Sequence, residues 1–339
     1  MKDKVVVLID SGVDIINFED IVVGGIHFYI KEKYLCCDDR FDDDNGHGSA
    51  CAHMIRAVAP NAKIYVIKIL DDNLEADYNV FEAALDYCLG LEYHIINLSL
   101  SMTDGGGMDY KLNDLCDKLR KQGKIIVSSV CNGCQKSYPA AYSSVIGVRG
   151  CCFDEMGEYW YNSRNEIQCI ADISPFFTSR SINKYFMFSG NSKACALLSG
   201  MLLKMEKTNK VVLNFESANA MLEDKATKND WKEDDIDILM ETYSLDRTSL
   251  CDEEILKNIY EIACAVMGWD DFTDIGWKDN LFERRLMHAD KMRLLILSLE
   301  KRFNITIPDS CLRYDSLSSI NKIGKIIEGE INEKTEAYM

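Results

Sequence analysis

Short apolar, β-rich runs alternate with stretches of helical periodicity over the N-terminal 210 residues of this chain. Strands that are separated by helices are joined by crossovers and pair in parallel, so this order predicts an α/β fold built on a parallel sheet. Functional side chains are then expected where the strands end. The predicted strands cover residues 5–9, 64–70, 95–100, 125–130 and 145–148, and the predicted helices cover 79–89 and 110–122, with Gly123 ending the second.

Length and charge limit the classes of protein that fit. A chain of 339 residues predicts two domains, and its 47% hydrophobic residues suffice to fill two cores. The formal net charge of -17 opposes binding to nucleic acid and to anionic membranes. No apolar run reaches the length of a membrane-spanning helix. We therefore expect neither nucleic acid nor a membrane as a partner.

The N-terminus and the cysteines predict where the protein works. Met1-Lys2-Asp3-Lys4 leads directly into the first predicted strand and leaves no room for a signal peptide. The chain has 14 cysteines. Without a secretory signal they are expected to be reduced thiols that pack as small apolar side chains. We expect a cytoplasmic location.

Three polar residues stand at predicted strand ends and helix starts. Asp10 ends the first apolar run, His47 lies between two glycines before a helical stretch, and Ser192 lies between Gly190 and an apolar run. Each has an ordinary structural explanation, because Asp caps strands, glycines mark loops and Ser caps helices. Acyl transfer, however, needs a nucleophile, a base and a group that orients the base.

The order Asp, His, Ser in these settings resembles the subtilisin family of serine proteases. The resemblance covers residues 1–210 and implies a subtilisin-like parallel sheet with helices on both faces. We expect no cofactor and no metal ion in this chain. Further matching segments are 57–70, 95–101, Cys131-Asn132-Gly133 and 138–148.

The resemblance assigns roles to individual residues. It implies that Ser192 is the nucleophile, His47 the base and Asp10 the group that orients it. Asn132 would donate to the oxyanion together with the backbone N–H of Ser192. The peptide substrate would lie along residues 99–101 and add to them as a strand. The predicted substrate-binding residues are Ser99, Leu100, Ser101 and Cys131.

Several positions depart from the family pattern. The nucleophile turn usually reads Gly-Thr-Ser-Met-Ala, whereas this chain has Gly190-Asn191-Ser192-Lys193-Ala194, and Ala196 replaces a proline. Lys193 is therefore expected to alter substrate choice or local charge. The loop that holds calcium in many relatives is missing between His53 and Ala57, so we expect that calcium site to be absent.

Two other motifs allow alternative interpretations. Cys131-Asn132-Gly133-Cys134 matches the C-x-x-C pattern of redox and zinc sites, as well as the oxyanion turn. An acidic run near His47 is either a solvated loop or a surface that attracts basic side chains. That run consists of Asp38, Asp39, Asp42, Asp43 and Asp44.

The remainder of the chain predicts a different unit. Residues 1–210 would form the catalytic domain, 211–250 a closing helix and connector, and 251–335 a helical bundle with helices at 253–267, 292–303 and 317–331. Residues 299–308 resemble acyl or peptidyl carrier proteins, in which a serine carries phosphopantetheine. Ala289 stands at the matching position, and Ser316 is expected to cap a helix. An unrelated helical bundle is the alternative.

Together these features predict a cytoplasmic serine endopeptidase that cleaves one specific peptide or protein. A precursor peptide of a biosynthetic pathway would suit the carrier-like bundle, which would bind a protein partner. The alternative is a catalytically silent protein that uses the protease cleft and the bundle as docking surfaces.

Overall fold

The computed structural model describes residues 5–102, 109–181, 184–242, 248–269, 275–281, 286–287, 291–313 and 315–337. The chain forms two compact units. One comprises Met1–Ile173 with Ser189–Met240, and the other Ser174–Phe188 with Glu241–Met339. This division differs from the sequence-based one, because residues 174–188 group with the C-terminal unit and residues 211–240 with the N-terminal unit.

A nine-stranded, mostly parallel sheet forms the first unit, as the sequence predicts. The strand order is β3-β2-β4-β1-β5-β6-β7-β9-β8, and only the β2–β3 and β8–β9 pairs are antiparallel. The strands are β1 (Val5–Asp10), β2 (Val22–Lys31), β3 (Tyr34–Asp38), β4 (Lys63–Lys68), β5 (Ile95–Leu98), β6 (Ile125–Ser129), β7 (Ile146–Cys151), β8 (Tyr159–Tyr161) and β9 (Cys169–Asp172).

Helices cover the sheet of this unit. Two of these helices begin and end within one residue of the predicted ranges 79–89 and 110–122. The helices are α1 (Ile15–Phe18), α2 (His47–Val58), α3 (Tyr78–Cys88), α4 (Asp109–Lys121), α5 (Asn191–Asn209), α6 (Phe215–Lys225) and α7 (Glu233–Thr242).

Strand β1 positions the first site residue. All six of its residues are buried, which is typical of a parallel strand covered on both faces. Val7 and Ile9 share one core cluster with residues of α3 and α4. Because side chains alternate along a strand, Leu8 points to the opposite face, where α2 and α5 pack against each other and the sheet. Strands β2 and β4 lie on one side of β1, and β5, β6 and β7 lie on the other, so the strand order reverses at β1. Open α/β sheets bind ligands at such a point, beyond the carboxyl ends of the strands. Asp10 is the last residue of β1.

The second unit contains a β-hairpin and the C-terminal helices. Phe176 and Phe177 of the hairpin are fully buried, and Phe177 N donates to Leu312 O at 2.6 Å. The side chain of Arg313 donates to Ser174 Oγ at 2.8 Å. The elements are β10 (Phe176–Ser181), β11 (Lys184–Phe188), α8 (Glu253–Met267), α9 (Met292–Phe303), a 3-10 helix (Asp309–Cys311) and α10 (Ile320–Ala337).

The helices predicted over 253–267 and 292–303 are confirmed. The prediction of Ser316 as a helix cap is wrong, because α10 begins at Ile320 and Ser319 Oγ accepts from Lys322 N at 3.0 Å. Ala289, the position that matches the carrier attachment residue, lies outside the described residues. Within the described part of the chain, every helix is too short or too polar to cross a lipid bilayer.

Candidate active site

Asp10 and His47 form a buried hydrogen-bonded pair. His47 Nδ1 lies 2.7 Å from Asp10 Oδ1, and the Asp10 side chain is fully buried. Ser11 N donates to the same carboxylate oxygen at 2.8 Å. Burial of the ring opposes its protonation, but the charge and hydrogen bond of Asp10 and the charge of Asp43 outweigh it, so the pKa of His47 is raised. A carboxylate in this position fixes the proton on Nδ1 and leaves Nε2 to act as a base.

The turn before His47 is held by Asp43. Its Oδ1 accepts from Gly46 N at 2.7 Å, and its Oδ2 accepts from Ser49 N at 2.8 Å. Gly46 has φ 99°, and a Cβ atom on Gly48 would collide with a backbone oxygen. Asp43 therefore builds the first turn of α2 and is not simply part of a solvated acidic loop, a role that the sequence analysis missed.

Ser192 lies in the first turn of α5. Its Oγ donates to the backbone oxygen of Ser99 at 3.3 Å, and Ser99 Oγ donates to Ser192 O at 3.3 Å. Ser99 Oγ also accepts from the thiol of Cys51 at 3.4 Å. Cys51 follows His47 by one helical turn, and its Sγ lies within 4.8 Å of the ligand atoms of both Asp10 and His47. These contacts connect Ser192, through Ser99 and Cys51, with the helix that carries His47.

Asn132 lies in an exposed turn that is joined to the serine turn. Asn191 N donates to Asn132 Oδ1 at 3.0 Å, which leaves the Nδ2 group of the amide as a donor. The side chain of Asn191 in turn donates to Val130 O at 2.9 Å and accepts from Gly150 N at 2.8 Å. The residue before Ser192 thus connects the serine turn to the predicted oxyanion turn.

Comparison with known proteins identifies the family. The model of the subtilase family, Peptidase_S8, matches residues 2–240. The chain is a subtilase. It is 28% identical over 233 residues to the minor extracellular protease Epr of Bacillus subtilis, with 65% of this chain and 34% of that protein aligned. It is 27% identical over 221 residues to the major intracellular serine protease of the same organism, with 59% of this chain and 67% of that protein aligned.

Solved structures support the same fold. The crystal structure of a cold adapted subtilisin-like serine proteinase is similar with a TM-score of 0.54 and 18% sequence identity. The similarity covers 68% of this chain and 84% of that one. The aligned part of this subtilase spans about a third of the length of Epr.

The predicted substrate-binding residues of this subtilase follow two strand ends. Ser99 is buried and uses its side chain to hold Cys51 and Ser192, whereas Leu100 and Ser101 are half-buried. Cys131, also half-buried, follows β6 and donates its backbone N–H to Ser137 Oγ at 2.8 Å. Their contacts with a peptide remain a prediction.

One group of three potential metal ligands occurs among the described residues of this subtilase. It consists of Asp10, His47 and Cys51, whose ligand atoms lie within 4.8 Å of one another. Two of these residues form the predicted acid–base pair, so an ion bound there would block the base. Residues 59–62 alone join α2 to β4, and the absence of the relatives' calcium site stays a prediction.

Lys193 does not face the cleft. Its side chain is fully buried, and its Nζ lies 2.6 Å from Asp172 Oδ2 at the end of β9. This buried ion pair argues against an effect of Lys193 on the local charge, and its expected effect on substrate choice stays a prediction. The partner of Lys193 was missed because its sequence position carries no periodic or motif signal.

Proposed function

We propose that this subtilase is a serine endopeptidase that uses Ser192, His47, Asp10 and Asn132. The hydrogen bond between His47 Nδ1 and the buried Asp10 carboxylate, 2.7 Å long, is the observation that supports this proposal most strongly. An imidazole held in this way presents Nε2 as the proton acceptor that a serine nucleophile needs.

The reaction begins with attack by Ser192 Oγ on the carbonyl carbon of the scissile bond. His47 Nε2 takes the hydroxyl proton, and the Asp10 carboxylate stabilises the imidazolium that forms. Asn132 Nδ2 and the backbone N–H of Ser192 donate to the oxyanion. His47 then gives its proton to the leaving amine, and water releases the acyl group by the same steps in reverse.

The substrate is proposed to be one specific peptide or protein, lying as an extended strand along residues 99–101. A precursor peptide of a biosynthetic pathway is the class we favour. A cytoplasmic location is proposed with it. All 14 cysteines lie in the described residues and are free thiols, as suits a reducing compartment, and one relative is named an intracellular protease.

The C-terminal unit is proposed to bind a protein partner. We keep the carrier-like interpretation as a prediction, with no phosphopantetheine attached, because Ala289 has no hydroxyl group to modify. The unit would then act through its surface, presenting the substrate or its carrier to the protease.

The second candidate is a catalytically silent binding protein. The hydroxyl of Ser192 donates to the carbonyl of Ser99, 3.3 Å away, which favours this candidate. For catalysis the hydroxyl has to rotate toward His47. The hydrogen bond from a catalytic serine to its histidine commonly forms only when a substrate is bound.

The test is cleavage of a diverse synthetic peptide library by the full chain, followed by mass spectrometry. We expect cleavage at a restricted set of bonds, and loss of all cleavage in Ser192→Ala and His47→Ala. Ser189→Ala, which changes an exposed serine three residues before the nucleophile, is the matched control and should cleave as the wild type does. Failure of the wild type to cleave any peptide, with no reaction toward an active-site serine probe, would support the silent binding protein instead.

A further inference from the structure

The turn that carries Asn132 is closed at both ends by cysteines. Cys134 N donates to Cys131 O at 3.0 Å, and Gly133 between them has φ 79°. A hydrogen bond of this kind defines a β-turn, whose end residues have Cα atoms less than about 7 Å apart. Disulfides join Cα atoms separated by about 4.4–6.8 Å. The backbone of this turn therefore already has the spacing that a disulfide requires.

The two thiols are partly accessible and lie at the two ends of one turn. Both side chains are half-buried, whereas the nearby thiols of Cys51 and Cys195 are fully buried. Partial burial and the neighbouring thiol of Cys131 raise the pKa of Cys134. Because the two residues close one turn, either sulfur can attack the other after that one has reacted.

We propose that Cys131 and Cys134 form a reversible disulfide that slows acylation of Ser192. The oxidant is a low-molecular-weight disulfide. One cysteine thiolate attacks it and forms a mixed disulfide, releasing one thiol. The second cysteine thiolate then attacks the protein sulfur, forming the internal bond and releasing the second thiol, so two protein S–H bonds are lost and two small thiols are formed. The effect on acylation rests on the proposed protease function.

Oxidation would act through Asn132 because that residue lies inside the ring that the disulfide closes. A disulfide fixes the two sulfur atoms about 2.05 Å apart with a defined dihedral angle, which makes the turn rigid. Asn132 Oδ1 already sits 3.0 Å from Asn191 N and 3.0 Å from where a Cβ atom on Gly190 would lie. A rigid turn therefore keeps the Asn132 amide from adjusting to the oxyanion as it forms. Removal of one oxyanion donor costs roughly 100- to 1,000-fold in rate, so we expect a slowing of about tenfold or more.

The experiment treats the full chain with glutathione disulfide and measures two quantities. Peptide mapping without reduction reports whether residues 131 and 134 are joined, independently of activity. The rate of labelling by a fluorophosphonate probe reports acylation of Ser192. We expect the disulfide in the map, labelling slowed about tenfold, and full recovery with dithiothreitol.

Two variants make the result specific. Cys134→Ser cannot form the bond and should label at one rate with and without oxidant, whereas Cys37→Ser, which removes an exposed thiol in β3, should respond as the wild type does. Absence of the 131–134 disulfide, unchanged labelling of the oxidised wild type, or equal slowing of Cys134→Ser would each overturn the proposal. Absence of labelling in the reduced wild type would instead refute the proposed protease function, while the map would still report the disulfide.

Discussion

The Nζ atom of Lys193 lies 2.6 Å from Oδ2 of Asp172, and both side chains are fully buried. The pair links the residue after the proposed nucleophile to the end of β9. Asp172 Oδ1 also accepts from Phe153 N at 3.2 Å, so the carboxylate holds two separate segments. Breaking a buried pair from one side strands a charge in a low-dielectric interior, which is more costly than removing both partners.

We predict that Lys193→Met, which restores the residue usual in the family, destabilises the first unit by about 3–5 kcal/mol. The double variant Lys193→Met/Asp172→Asn should recover much of this loss, because no uncompensated charge remains. Urea unfolding followed by fluorescence measures the effect. Lys136→Met, which removes a partner of an exposed ion pair, is the matched control and should change stability little. A Lys193→Met variant as stable as this control would contradict the account.

The pKa of His47 predicts the pH dependence of activity. His47 must be neutral to accept a proton from Ser192, so activity rises with pH as the imidazolium loses its proton. Because Asp10 and Asp43 raise the pKa of His47 above its ordinary 6.5, the acidic limb of kcat/KM should lie above that value. Asp43→Asn removes one of the charges that raise the pKa of His47, so this variant should shift the acidic limb to lower pH. Asp86→Asn, an exposed change on α3, should leave the limb in place; a limb that does not move in Asp43→Asn would contradict the assignment.

Chelation tests the interpretation of the short connection between α2 and β4. Residues 59–62 leave no loop for calcium there, so EDTA should change neither the thermal midpoint nor the activity. Differential scanning fluorimetry with and without EDTA measures this. A large drop in the midpoint that added calcium reverses would reveal a site that the sequence and the fold do not indicate.

Because Phe176 and Phe177 belong to the second unit, the effect of deleting its C-terminal helices can be predicted. Both rings are buried in a hairpin whose backbone pairs with residues 312–313, so deletion of residues 251–339 removes that partner. We expect this deletion to expose apolar surface, increase binding of a hydrophobic dye and promote aggregation. A matched deletion also replaces residues 174–188 with a short Gly/Ser turn. Ser189 Oγ lies 2.7 Å from Ile173 O, so the two residues that the turn must join are already close. This second variant should stay monodisperse in size-exclusion chromatography. Equal solubility of the two deletion variants would contradict this grouping.

The sequence predicts the parallel sheet and the proposed acid–base pair because both depend on local pattern. Asp10 follows five buried apolar residues, and His47 lies between glycines whose backbone conformation or close packing requires them. The hairpin at 174–188 was not predicted as part of the second unit, because its apolar residues do not reveal which core they fill. The partner of Lys193 stands 21 residues away and depends on tertiary packing alone.

The most direct test of the proposed protease is the site of covalent reaction with a fluorophosphonate probe. The account predicts one adduct per chain, located on Ser192 by peptide mapping, lost in Ser192→Ala and retained in Ser189→Ala. It also predicts much slower labelling in Asp10→Asn, because the imidazole then loses its orienting charge. An adduct that maps to another residue, or that persists in Ser192→Ala, would contradict the assignment of Ser192 as the nucleophile.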